Sequence, residues 1–94
     1  MGADITHGTR NIITRNIVEL SDFYRKLEAV SDESLEIINR CNGLVASPEH
    51  RDCQRTASAL MGVSCNLRAA RSLIADARSE IADAETAMAM RVTQ

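Results

Sequence analysis

The sequence predicts an all-α protein: a three- or four-helix bundle with a long C-terminal helix over about residues 48–91 that carries an Ala-rich heptad seam. Three observations lead there. One Pro and four Gly in 94 residues leave too few turn-formers for a β domain and room only for a few long elements. Aromatic residues are 2% of the chain, so the core is built from Leu, Ile, Val, Met and Ala, which helices pack well. The apolar residues recur at helical rather than alternating spacing.

Residues 1–8 read as a short polar lead, flexible at the terminus. From about Thr9 to Val30, Ile13, Ile17, Leu20, Tyr24 and Leu27 follow one another at steps of four and three, which puts them on one helical face. Phe23 and Val30 widen that face, and Asp22 and Lys26, one turn apart, can pair. Ser31-Asp32-Glu33 then reads as a new start: the Ser side chain can cap free N–H groups, and the two acids suit the positive end of a helix dipole. The second helix is expected over about 32–46, with Leu35, Ile38 and Cys41 on one face and Ile37 and Leu44 beside it; Gly43 either ends this helix or weakens it. Ser47-Pro48-Glu49 predicts the third start, with Ser47 as cap and Pro48 in the first helical position.

Beyond Pro48 one pattern holds. Cys53, Leu60, Leu67, Ile74, Ile81 and Met88 recur every seven residues, and Val63, Ala70, Ala77, Ala84 and Arg91 follow the last five at a distance of three. This is a seam with a large residue at one heptad position and mostly Ala at the other. Small residues let two helix axes approach toward the near end of the roughly 8–10 Å range. The pattern keeps register through Gly62, which favours one unbroken helix, since Gly costs only about 1 kcal/mol in a helix interior. Such a helix exceeds what the two shorter ones can cover. The seam Leu60, Val63, Leu67, Ala70, Ile74, Ala77, Ile81, Ala84 and Met88 is therefore the predicted protein interface, to a partner helix or to a second copy in a homodimer.

Length and composition bound the function. The chain is one domain's worth of residues, 45% hydrophobic and 26% charged, an ordinary globular balance. The net charge of −2 disfavours a general role on nucleic acid or anionic membranes, which shows as a basic excess. Lys26 is the one Lys beside ten Arg, and the Ala content is high; together these suggest a GC-rich genome, bacterial or phage. No run approaches the roughly 20 apolar residues that span a bilayer, and no secretory signal opens the sequence. Three Cys, an odd number, read as reduced thiols in a cytoplasmic protein.

The candidate sites are few. His50 and Cys53, three residues apart, with Cys41 brought near by a chain reversal, could hold zinc; a structural zinc takes four protein ligands, however, and no CxxC pair exists. The same His and Cys lack an orienting acid for nucleophilic catalysis. Arg51, Arg55, Arg68, Arg71 and Arg78 give the first half of the long helix a positive excess that could contact phosphates, although Arg68 and Arg78 lie on different sides. Asp76, Glu80, Asp83 and Glu85 make the last third acidic, most simply as solvated flanks. Met1–Thr6 fits the short N-myristoylation pattern without a polybasic second signal. Tyr24 is expected in the core with its hydroxyl at an edge. No catalytic, cofactor or metal constellation is expected. The sequence thus points to a non-enzymatic helical binding module acting as regulator, adaptor or inhibitor, with a phage- or mobile-element-borne inhibitor of a bacterial system fitting its size. A nucleic-acid-associated regulator using the Arg-bearing half of the long helix is the alternative.

Overall fold

Apolar residues at steps of three and four require helices, and the computed structural model, which describes residues 6–50 and 52–93, contains two of them. Helix α1 runs His7–Ala46 and helix α2 runs Gln54–Thr93, each 40 residues long. The all-α class stands, but the three- or four-helix bundle does not: among the described residues there are only two helices and no strand.

Helix α1 begins at a cap that lies inside the expected polar lead. The Thr6 carbonyl accepts the Arg10 N–H at 2.9 Å and the Thr6 hydroxyl oxygen accepts the Thr9 N–H at 3.1 Å, so Thr6 satisfies N–H groups that the first turn leaves free. The expected break at Ser31 is absent. Ser31 and Ser34 are both buried, and the Ser34 hydroxyl donates to the Val30 carbonyl one turn back at 2.8 Å. Ser34 is thus satisfied inside the helix, and no Gly or Pro near Ser31 ends it. Gly43 also lies within α1.

The third start is displaced. Instead of opening a helix, Ser47-Pro48 opens a chain reversal. Ser47 N–H donates to the Leu44 carbonyl at 3.1 Å, His50 N–H to Ser47 at 3.0 Å and Cys53 N–H to His50 at 3.0 Å. Pro at the second position of such a turn and Pro at the first position of a helix use the same fixed φ, which is why the dipeptide predicts either. The first i→i+4 bond of α2 is Ala57 N–H to the Cys53 carbonyl at 3.0 Å, so Cys53 is the capping residue. From there α2 passes through Gly62 unbroken, as the register of the seam implied.

The chain forms two units. In unit 2, Ala29–Ala75, the end of α1 and the start of α2 fold back on each other as a helical hairpin. Ser31, Ser34, Ile38, Cys41 and Val45 line the inner side of α1; Ala57, Leu60, Ser64, Leu67, Ala70 and Ile74 line that of α2, all buried or half-buried. In unit 1, Met1–Glu28 with Asp76–Gln94, the inward residues are Ile13, Ile17, Leu20, Tyr24 and Leu27 against Ala77, Ile81, Ala84 and Met88. Each helix shows steps of three and four within each unit, the pattern of helices packed at a small angle. With one contact face per helix the cores are thin: among the described residues the buried apolar ones are Ile13, Ile38 and Cys41, and no large side chain is fully buried.

Candidate functional site

Eight of the nine residues of the predicted interface are half-buried within the chain's own units. Leu60, Leu67, Ala70 and Ile74 are half-buried in unit 2, as are Ala77, Ile81, Ala84 and Met88 in unit 1. With two helices, periodic burial on α2 comes from α1, and the polar contacts at the same level confirm the pairing. In unit 2, Ser64 Oγ donates to Asn42 Oδ1 at 3.2 Å and Arg71 Nε to the Ser31 carbonyl at 3.1 Å. In unit 1, Arg78 Nη2 meets Glu28 Oε2 at 2.8 Å. Val63 departs from the predicted seam. It is 42% exposed, whereas its neighbour Ser64 is 3% exposed and fills the small position of that heptad. A heptad allows the second position to fall three or four residues after the first, and within this chain the packed one is the polar Ser64.

The described residues of the basic row divide between packed and exposed positions. Arg71 and Arg78 are half-buried and turned toward α1, Arg55 and Arg68 are exposed, and Arg51 lies outside the described residues. Small side chains admit Arg71: Ser31 leaves its carbonyl open to the guanidinium. Arg78 lies over the Tyr24 ring, 4.5 Å from its centroid, while pairing with Glu28. Its Nε is buried without a hydrogen-bond partner. The sole tyrosine is thus at the packed face, as its spacing predicted, and serves as a platform for a cation.

Around the reversal, His50 is half-buried, Cys53 is exposed and Cys41 is buried. Among the described residues no three His, Cys, Asp or Glu side chains converge as metal ligands. The later start of α2 changes the chemistry of Cys53, which belongs to the helix terminus itself rather than to a turn beyond it. Its Sγ lies 3.0 Å from Thr56 Oγ1. Hydrogen bonds from the Thr56 side chain and backbone N–H, and from the Arg55 N–H, lower the thiol pKa below its ordinary value. Beside it, the Ser47 hydroxyl bonds Glu49 and holds that carboxyl below its usual range. In unit 1, Lys26 Nζ is 3.0 Å from Asp22 Oδ2, the one-turn pair expected from the sequence. Lys26, and then Arg25, lower the Asp22 pKa. Of the acidic residues near the end, Asp76, Glu80 and Asp83 are exposed and Glu85 is half-buried. Met1–Ile5, which carry most of the acylation pattern, lie outside the described residues.

Once the inner faces of the two helices meet, apolar residues beside the inner face of α1 are left outside. In unit 2, Val30, Ile37 and Leu44 are 48%, 48% and 37% exposed and follow each other at seven-residue intervals on α1, a single row along the helix. An open groove of about 460 Å³ is lined by Glu33, Glu36, Ile37, Arg40 and Cys41. Leu73 on α2 is also exposed. In unit 1 the exposed large apolar residues include Ile12, Val18, Phe23 and Met90. Among the described residues no helix is long and apolar enough to cross a membrane. No known protein family, curated protein or solved structure matches the chain.

Proposed function

We propose that this protein is a non-enzymatic binding module of the cytoplasm that acts by docking its outer helix faces on another protein surface, as a regulator, adaptor or inhibitor. The observation that carries this reading is the apolar row Val30, Ile37 and Leu44, exposed although the same helix has already satisfied its inner face. Periodic exposed apolar residues on a helix are the form in which helices recognise partners. The three free thiols fit a reducing compartment. A role as inhibitor borne by a phage or mobile element remains compatible with the size and composition. The nucleic-acid alternative draws no support from Arg71 and Arg78, whose guanidinium groups are engaged with α1.

The test is affinity capture by the tagged chain from a bacterial lysate, with and without nuclease, run in parallel with Ile37→Asp. A stoichiometric protein that survives nuclease and is lost with Ile37→Asp supports the reading. Recovery of nucleic acid alone would replace it with the alternative. A chain that retains neither another protein nor a copy of itself would refute it.

A further inference from the structure

We propose that the Val30–Ile37–Leu44 row of unit 2 is covered by a second copy of this chain, docked antiparallel about a two-fold axis at Ile37. This rests on the binding-module reading and names the partner for one face.

The charges beside the row select the occupant. Glu33 and Arg40 lie on the same flank of it, since both are displaced from the row's positions by the same number of residues in the heptad. Both are exposed, line the groove at Ile37, and are absent from the ion pairs among the described residues. A two-fold axis perpendicular to two antiparallel helices brings the same flank of each copy together. With the axis at Ile37, Val30 of one copy lies level with Leu44 of the other, and Ile37 meets Ile37. Glu33 lies four residues before Ile37 and Arg40 three residues after it, about 6 Å and about 4.5 Å along the axis at 1.5 Å per residue. After the two-fold rotation Glu33 therefore stands within about 1.5 Å of the level of Arg40 of the second copy, well inside side-chain reach. The pair forms twice, and Glu36, also lining the groove, adds acidic charge on the side where that Arg arrives. A parallel two-fold pair would set this charged flank against the opposite flank of its neighbour, where Ser34 and Cys41 are buried against α2. Charge complementarity thus fixes both the partner and its direction.

The test uses charge reversal at exposed positions, read by sedimentation equilibrium, with far-ultraviolet circular dichroism to verify that each variant stays helical. The wild-type chain is expected to be a dimer. Glu33→Arg places two Arg pairs across the axis and Arg40→Glu two Glu pairs, so each variant alone should weaken dimerisation at least about tenfold. Mixed in equal amounts, they form a heterodimer with both pairs restored, and the dimer mass should return. Ile37→Asp should yield a helical monomer that mixing does not rescue. A monomeric wild type, single variants that remain dimers, or a mixture that stays monomeric would each overturn the proposal. A monomeric wild type that still captures another protein through Ile37 would overturn the second copy as occupant and leave the binding-module reading standing; one that captures nothing would remove both.

Discussion

Replacing Arg78 with Met should leave unit 1 nearly as stable as it is, although it deletes a salt bridge and a cation–π contact. The Arg78 side chain is 24% exposed, but Glu28 is 54% exposed, so solvent screens the pair to about 0.5 kcal/mol. The guanidinium over Tyr24 adds about 0.5–1 kcal/mol. Against these stands the buried Nε–H with no partner, a cost of about 1–3 kcal/mol. Methionine has similar reach, keeps the Tyr24 ring covered, offers it a sulfur contact and carries no donor. The losses come to about 1–1.5 kcal/mol and the relieved cost to about 1–3 kcal/mol, so the variant should lose no more than about 0.5 kcal/mol. Arg78→Ala removes the cover as well and should be about 1–2 kcal/mol less stable than Arg78→Met. Thermal and urea melts by circular dichroism at one fixed protein concentration would read the series, with about 4–8 °C per kcal/mol for a chain of this size. If Arg78→Met proves as destabilised as Arg78→Ala, the charge rather than the covering of Tyr24 holds this level of the helix pair, and the reasoning is wrong.

Other expectations follow from single residues. Ile38 is 2% exposed at the centre of a thin core, so Ile38→Ala should cost about 2–4 kcal/mol, whereas exposed Leu35→Ala should cost about 1 kcal/mol or less; equal urea midpoints would contradict the inner and outer assignment. Gly43 and Gly62 are helical, have no positive φ, and a Cβ at either meets nothing within 4 Å. Gly43→Ala and Gly62→Ala should each raise stability by about 0.5–1 kcal/mol, and a lowered melting temperature would show that these sites are crowded. Cys53, as the sole Cys in a chain with Cys41→Ser and Cys65→Ser, should react with a disulfide reagent at lower pH when folded than when denatured. Thr56→Val should move the folded profile upward. The lowered thiol pKa favours the folded state above the unfolded thiol's pKa, a contribution lost as pH falls through the folded value. Coincident folded and denatured profiles would remove the hydrogen-bonded thiolate.

The helical class, the unbroken passage through Gly62, the inward positions of Ile13, Ile17, Leu20, Tyr24 and Leu27, and most of the α2 seam were legible in the residues. Each follows from the spacing of apolar side chains, a local property of the chain. The helix count was not. Ser31 and Ser34 carry the inner row of α1 across the middle of the helix, but polar side chains look like an interruption until a partner helix is known to need small residues there. Ser64 escaped notice for the same reason, with Val63 chosen in its place. Ser47-Pro48 announced an ordered backbone change correctly, but a turn and a helix start use the same proline geometry.

The candidate site divides along the same line. Spacing alone set Val30 at the widened edge of one face, and Ile37 and Leu44 beside another. Tertiary packing decided which stripe meets α2 and which faces solvent: Ile38 went in and Ile37 stayed out, one residue apart. It also drew Arg71 and Arg78 out of the predicted basic row, because long side chains beside a seam of Ala and Ser can reach across to a carbonyl, a carboxylate and an aromatic ring on the other helix. Periodicity is fixed by the helix itself; the choice between two adjacent faces is fixed only by the surface that covers one of them.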